Sequence, residues 1–346
     1  MLASGLAGRG HHVTAIVRAG GRPEEGLLDQ RVHVDELPAG TAHRRRLIRV
    51  PSIILSLRRR LAMIDPDVVV AFKPENAVPA LAAGVGKPYR VVVSERITLD
   101  RHKHYWHWRL GRRLLYRLAA VVVVQTDRSV PTLRQIAPAV DVQVIPNIVI
   151  VPTATSADSV WAPVPVAPGC RLITVARLAH QKGIDRLLDS FAGVAAEFPD
   201  WHLMIVGDGP DRSTLLTQSE RLGLADRVTF AGTVVDPFPS LRDSDVFALA
   251  SRHEGFPNAL AEAMAVGLPV VAYDCPTGPG ELITSGENGL LVADGDIEAF
   301  AEALRLLMAD DALRRRLGAR ARSVKTRYAP DPVLDRWERV LRGSSV

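Results

Sequence analysis

Short β-branched runs recur along this chain, and each interval between them is long enough for one helix. VTAIV (13–17), DVVVAF (67–72), RVVVSE (90–95), AVVVVQ (120–125) and VDVQVI (140–145) form a first series. Most of these runs are continuously apolar, so both faces of each strand are expected to be covered, as in a parallel sheet. Helical spacing fills intervening segments such as 108–119 and 127–137. The pattern then restarts with RLITVA (171–176), HLMIVG (202–207), RVTFAG (227–232), DVFALA (245–250) and LPVVAY (268–273). Helices are expected near 182–198, 211–223 and 256–266. Parallel strands need a crossover between them, and two such βα series make two doubly wound α/β domains.

The break between the series is rich in Pro, Ser, Thr and Ala and has little periodicity (147–169). The expected organisation is a domain over 1–150, a linker over 151–168, a second domain over 169–326 and a last segment over 327–346. That last segment reads as an amphipathic helix (330–343) with Val333, Leu334, Trp337, Val340 and Leu341 on its apolar side, crossing back to the first domain. Ligands of open α/β sheets bind at the carboxyl ends of strands, so a cleft between the two sheets is the expected site. No apolar run reaches the length of a membrane span. Two distant cysteines, Cys170 and Cys275, fit small core residues in a reducing cytoplasm.

Charge is divided unevenly. Residues 1–150 hold 23 Lys and Arg against 12 Asp and Glu, a net +11, while the remainder is −6. The excess is concentrated in RRRLIRVPSIILSLRRR (44–60) and RHKHYWHWRLGRRLLYR (101–117). The second mixes Tyr105, Trp106, Trp108 and Tyr116 with cations, a composition suited to an anionic membrane surface. An ordinary solvated basic face is the alternative. No nucleic-acid module accompanies the charge, so nucleic acid is not an expected partner. Pro51 predicts a kink or break in a helix over 44–60. His102, His104 and His107 lack a ligand set, and no metal site is expected.

Three stretches carry chemistry. VARLAHQKGIDRLL (175–188) follows a strand and opens a helix, and it places Arg177 and Lys182 at a strand's carboxyl end. A planar fork and a compact cation there fit a diphosphate; two surface cations are the plainer reading. VGDGP (206–210), with Gly207, Asp208 and Gly209, is a tight turn without the third glycine of a dinucleotide fingerprint. HEGFPNALAEAM (253–264) puts Gly255 and Pro257 at a helix start, where the free N–H groups around Phe256, Asn258, Ala259 and Leu260 make an anion site. Glu254 beside an anion is sensible only as an acceptor from sugar hydroxyls. Glu262 lies about 7.5 Å beyond Pro257 at 1.5 Å per residue, a spacing suited to a ribose.

In this order these motifs resemble the retaining GT-B glycosyltransferases of family 4, most specifically over 171–292. The resemblance implies a GT-B fold of two Rossmann-like domains facing a central cleft. It implies that Arg177 and Lys182 grip the nucleotide diphosphate, that Glu254 holds the donor sugar, and that Glu262 holds the ribose. VVVSER (91–96) and YDCPTGPGELI (273–283) look like a subgroup building bacterial exopolysaccharides and lipid-linked oligosaccharides from UDP-hexoses or UDP-N-acetylhexosamines. The implied partners are a nucleotide diphosphate sugar and a lipid-linked or glycan acceptor, at the cytoplasmic face of the membrane and with no cofactor. Many family members carry a His near the donor sugar where this chain has Ser94, Glu95 and Arg96. Lys73, Glu95 and Arg96 are therefore acceptor candidates, with burial of Arg96 in a structural ion pair with Glu95 or another acid as the alternative. The family pattern also begins with a strand and Gly-rich loop, whereas this sequence starts inside the following helix. A gap in the first domain's sheet is expected, from a start placed too late or a truncated copy. A non-catalytic sugar-nucleotide binder and an epimerase on the same scaffold remain open alternatives.

Overall fold

The computed structural model describes residues 1–18, 28–37, 46–96, 106–152 and 169–343. Most of the expected linker (153–168), Arg44, Arg45, His102, His104 and Tyr105 lie outside the described residues. The chain divides into two compact units, Met1–Ile148 with Pro330–Val346, and Val149–Ala329.

The first unit runs α1 (Leu2–Gly8), β1 (Val13–Arg18), β2 (Val32–Leu37), α2 (Arg46–Ile64), β3 (Val68–Phe72), α3 (Pro74–Gly84), β4 (Arg90–Ser94), α4 (Trp106–Leu115), β5 (Val121–Val124), α5 (Val130–Ile136) and β6 (Val142–Val144). Its strands form two parallel sheets, β1-β2 and β3-β4-β5-β6. The valines of β4 and β5 are fully covered, as their unbroken apolar runs require. Those of β3, which among the described residues pairs only with β4, are half-buried. Helix α2 is unbroken across Pro51, against the expected kink. Pro51 stands in the second turn, so one backbone bond is lost while the later turns continue the ladder. β2 is not legible as a strand in the sequence, because VHVDEL mixes polar and charged residues with its apolar ones rather than running apolar.

The second unit runs β7 (Cys170–Val175), α6 (Ile184–Ala195), β8 (Trp201–Val206), α7 (Arg212–Arg221), β9 (Val228–Gly232), α8 (Phe238–Arg242), β10 (Val246–Leu249), α9 (Asn258–Val266), β11 (Val270–Asp274), α10 (Pro279–Leu282), β12 (Leu290–Ala293), α11 (Ile297–Ala309), α12 (Asp311–Ala321) and α13 (Ser323–Arg327). Its six strands are all parallel in the order β12-β11-β10-β7-β8-β9. This is the doubly wound order, and its direction reverses between β7 and β10. Ligands of such sheets bind outside the carboxyl ends of the strands at that reversal. Core side chains fill both faces, with Leu172, Leu187 and Phe300 on one and Ile173, Phe247 and Leu260 on the other.

The chain ends in α14 (Pro330–Arg342), which belongs to the first unit. Val333, Leu334, Trp337 and Val340 are buried there with Leu6, Val92 and Val123. Arg9 pins the helix through Asp331 at 2.8 Å and Asp335 at 2.5 Å.

Candidate active site

The loops after β7 and β10 meet at the sheet's reversal point and are stitched by their backbones. Arg252 N–H donates to the Gln181 carbonyl at 2.8 Å, and the Gln181 amide donates to the His253 carbonyl at 3.0 Å. Gly183 links the β7 loop to α6 with φ +63, and a Cβ there would collide with the Ala250 carbonyl. The loop after β8 closes against the same place. Leu178 N–H donates to the Asp208 carbonyl at 2.9 Å, and Asp211 N–H to the Leu178 carbonyl at 3.0 Å. A Cβ on Gly207 or Gly209 would strike the Ala176 or Leu178 carbonyl. These glycines thus hold the rim together, and their backbone lies beside the β7 loop; the Asp208 side chain caps the Gly209 N–H at 2.7 Å.

Two of the candidate residues are joined. Lys182 Nζ lies 2.7 Å from Glu254 Oε1, and Ser251 Oγ donates to the same oxygen at 2.6 Å. The Thr277 hydroxyl donates to the Glu254 carbonyl. Glu254 is 5% exposed, so the pair is largely desolvated on the carboxylate side. Ser251 and Thr277 were not picked out from the sequence. Ser251 carried one usable signal, its position three residues before Glu254. The Arg177 side chain is exposed on the same β7 loop and has no protein partner among the described residues. Its charge is therefore available to a ligand.

Helix α9 starts at Asn258, with Pro257 just outside it at ψ 83, not in the first turn as the sequence suggested. Its outward groups are backbone. The Phe256 ring packs edge-on against Tyr328 at 5.5 Å, and Leu260 is fully buried. The Asn258 N–H already donates to the Phe256 carbonyl at 3.0 Å, which leaves the N–H groups of Ala259 and Leu260 as the orphan donors of this start. Gly255 lies between Glu254 and that turn. Glu262 is half-buried one turn further on. Burial, and then the nearby Asp236, push its carboxyl above the ordinary value. Cys275, behind Glu254, is pushed up to about 12 by burial and by that carboxylate, so it is inert as a nucleophile.

The acceptor candidates lie in the first unit, at the carboxyl edge of β3 and β4. Glu95 is 3% exposed and turned inward. It takes Arg112 Nε at 2.8 Å and Nη2 at 3.2 Å, together with the Tyr116 hydroxyl. Burial works against the Arg112 charge, yet Glu95 holds that charge above its ordinary value. Glu95 is thus a structural group and contacts no acceptor from there. The alternative pairing of Arg96 with Glu95 does not form, because Arg112 takes that carboxylate. Arg96 donates to Ser94 Oγ at 3.0 Å and to Asn147 Oδ1, with its guanidinium 5.0 Å from the Phe72 ring centre. Lys73 is exposed where β3 turns into α3.

Asp-x-Asp triplets occur at 65–67, 243–245 and 294–296. Asp245 accepts the Arg171 N–H at 2.7 Å, Asp294 pairs with Arg186 at 2.8 Å, and Asp296 caps α11. Among the described residues no group of three or more His, Cys, Asp or Glu side chains is placed to hold a metal ion. None of the described helices is long and apolar enough to cross a membrane.

Two parallel-sheet units, the second wound in the reversing order with a cation-rich rim, define the GT-B class. Solved structures agree. Sucrose-phosphate synthase from Thermosynechococcus elongatus superposes with a TM-score of 0.83 at 21% identity, over 99% of this chain and 91% of that one. Anabaena HepE in complex with UDP superposes with 0.77 at 21% identity, over 90% and 86%. Residues 170–324 match the family described as glycosyl transferases group 1, and residues 1–148 match the glycosyl transferase 4-like domain. The chain belongs to the GT-B glycosyltransferase family. It is 33% identical over 298 residues to an exopolysaccharide phosphotransferase of Streptomyces coelicolor, covering 83% of this chain and 30% of that protein. It is 28% identical to the lipopolysaccharide core biosynthesis glycosyltransferase LpsD of Rhizobium meliloti, covering 81% and 76%. The chain spans about a third to a half of the length of the first curated relatives it matches.

Proposed function

We propose that the protein transfers a hexose or N-acetylhexosamine from a UDP-sugar to a lipid-linked or glycan acceptor, with retention, in exopolysaccharide or lipopolysaccharide biosynthesis. The observation carrying this reading is the rim at the β7/β10 reversal. Arg177, which has no protein partner among the described residues, the Lys182–Glu254 pair and the open N–H groups of α9 converge there, with Glu262 one turn beyond. The relatives named for exopolysaccharide and lipopolysaccharide synthesis, and the structural neighbour holding UDP, support the class of substrate.

In this reading the diphosphate lies across Arg177, Lys182 and the start of α9. Lys182 shares its charge between Glu254 and the phosphate, so Glu254 is oriented for the sugar hydroxyls. Glu262 takes the ribose hydroxyls. As the bond to the anomeric carbon breaks, negative charge grows on the diphosphate, and fixed cations and amides stabilise it without reorganising. No second carboxylate at nucleophile spacing is invoked. The acceptor hydroxyl attacks from the side the diphosphate leaves and passes its proton to that diphosphate, which preserves configuration by positioning. The cations take the charge-neutralising part, and the reaction is metal-independent in this proposal.

The first unit also offers a membrane contact. Leu110, Leu114 and Leu118 are exposed at four-residue spacing, beside the exposed Arg109, Arg113 and Arg117. Exposed leucines in such a row flanked by cations fit an anionic bilayer surface. The transfer reading is tested by incubating the protein with a panel of UDP-sugars and a cell-envelope glycolipid extract, with mass-spectrometric readout. UDP release together with a sugar-extended product is expected. UDP binding without turnover of any donor would replace transfer with the non-catalytic reading.

A further inference from the structure

The β10 loop reaches the β7 loop with one side chain as well as with its backbone. Arg252 Nη1 donates to the His180 carbonyl at 2.7 Å. The same guanidinium takes the Asp185 carboxylate with both ends, Nη1 to Oδ1 at 2.7 Å and Nη2 to Oδ2 at 2.5 Å. This is the two-pronged geometry that a planar fork makes with a carboxylate. The Arg252 side chain is 14% exposed, so its half of the pair is largely shielded from water. Burial works to raise the Asp185 carboxyl, yet the Arg252 guanidinium holds it below its ordinary value.

The Arg252 N–H also donates to the Gln181 carbonyl, so one residue holds positions 180, 181 and 185, on both sides of Lys182. Lys182 closes a single turn, His180–Lys182, and is followed by Gly183 at φ +63. Its own N–H donates to the Ala179 carbonyl at 2.7 Å. A lysine stem is flexible, so the reach of Nζ depends on where that short turn is anchored. The fork lies against a carboxylate and a carbonyl, which match its charge. Arg252 therefore adds little to the positive potential of the rim, and what it contributes is placement.

We infer that Arg252, through its fork on Asp185 and His180, is a positioning residue for the rim: it acts through Lys182, setting the turn from which Nζ reaches both Glu254 and the donor diphosphate. The inference deepens the transfer reading and rests on it for the diphosphate. A lysine at 252 would keep the charge but lack the fixed plane that holds a carbonyl and a carboxylate at once.

Calorimetric titration of the full-length protein with UDP tests this in two backgrounds, wild type and Lys182→Ala. Lys182→Ala is expected to weaken UDP about tenfold, and Arg252→Gln about fivefold in the wild-type background. In the Lys182→Ala background Arg252→Gln should cost less than about twofold, because the group it places is gone. Arg252→Lys should remain at least about threefold weaker than wild type, since it keeps the charge and loses the fork. Thermal unfolding is followed alongside. A clamp that served stability alone would lower the midpoint in both backgrounds and leave UDP affinity as it was. If Arg252→Gln fails to fold, Asp185→Asn weakens the fork from its other end and enters the same cycle. No loss of affinity in the wild-type background, equal losses in both backgrounds, or full rescue by Arg252→Lys overturns this inference alone. UDP binding by Lys182→Ala as tight as by wild type, or no UDP binding by wild type, would instead sink the donor reading, and this inference with it.

Discussion

Lys182 and Glu254 illustrate how one contact serves two ends. The pair fixes the β7 loop to the β10 loop, and it also presents a cation to the rim. Lys182→Ala is expected to lower transfer on the order of 10²–10³-fold, the usual effect of losing one stabilising donor. It should also cost about 1–3 kcal/mol of stability, because a buried carboxylate loses its cationic partner. Pairing Lys182→Met with Glu254→Gln should restore the midpoint of thermal unfolding but not the turnover. Turnover near wild type in Lys182→Ala would remove the lysine from the chemistry. Glu262 behaves in the opposite way. Burial and Asp236 raise its carboxyl, so the native state holds that proton to higher pH than the unfolded chain does. Its contribution is largest below the ordinary glutamate value and is lost as pH climbs through the raised one. Glu262→Gln should therefore unfold on the order of 1–2 °C higher than wild type at pH 7.5, with little difference at pH 4. It should at the same time bind UDP about tenfold more weakly, one lost charge-assisted contact. A lowered midpoint at pH 7.5 would show that Glu262 is not strained by its surroundings.

Among the elements, α4 and β4 are locked by the Glu95–Arg112–Tyr116 cluster. Glu95→Ala should cost about 3–5 kcal/mol, since it leaves a fully buried guanidinium without its partner, and chemical denaturation measures this directly. A loss below about 1 kcal/mol would mean that water reaches Arg112. The sequence made the strands legible where apolar residues ran unbroken, as in VVVV of β5, because burial on both faces leaves no room for polar alternation. It hid β2 and β12, whose residues are only partly covered. It made the rim legible through residue types that few local structures need together: an arginine and a lysine after a strand, then two glutamates around a helix start. It could not reveal that Lys182 meets Glu254 across 72 positions of chain, or that Arg112 rather than Arg96 takes Glu95. Those pairings depend on side-chain reach across packed elements, which one-dimensional spacing does not encode. The helix start shifted by one residue because Pro257 adopts an extended ψ, a choice proline allows on either side of a helix boundary.

At the scale of the whole molecule, charge and sites are divided between the two units. The cation-bearing rim is built in the second unit, and the basic excess lies in the first 150 residues. If Leu110, Leu114 and Leu118 meet a bilayer, flotation with vesicles containing one-third anionic lipid should carry the protein upward, and neutral vesicles should not. Replacing the three leucines with glutamine should abolish the effect without lowering the unfolding midpoint, because all three side chains are about half exposed. Equal flotation with both vesicle types, or by the triple variant, would assign the row to ordinary surface. The most direct measurement of the central claim is a crystal structure with UDP bound. The account predicts the diphosphate against Arg177, Lys182 and the amides of Ala259 and Leu260, with the ribose hydroxyls on Glu262. A nucleotide seated elsewhere, with Arg177 still free and Lys182 closed on Glu254 alone, would contradict it.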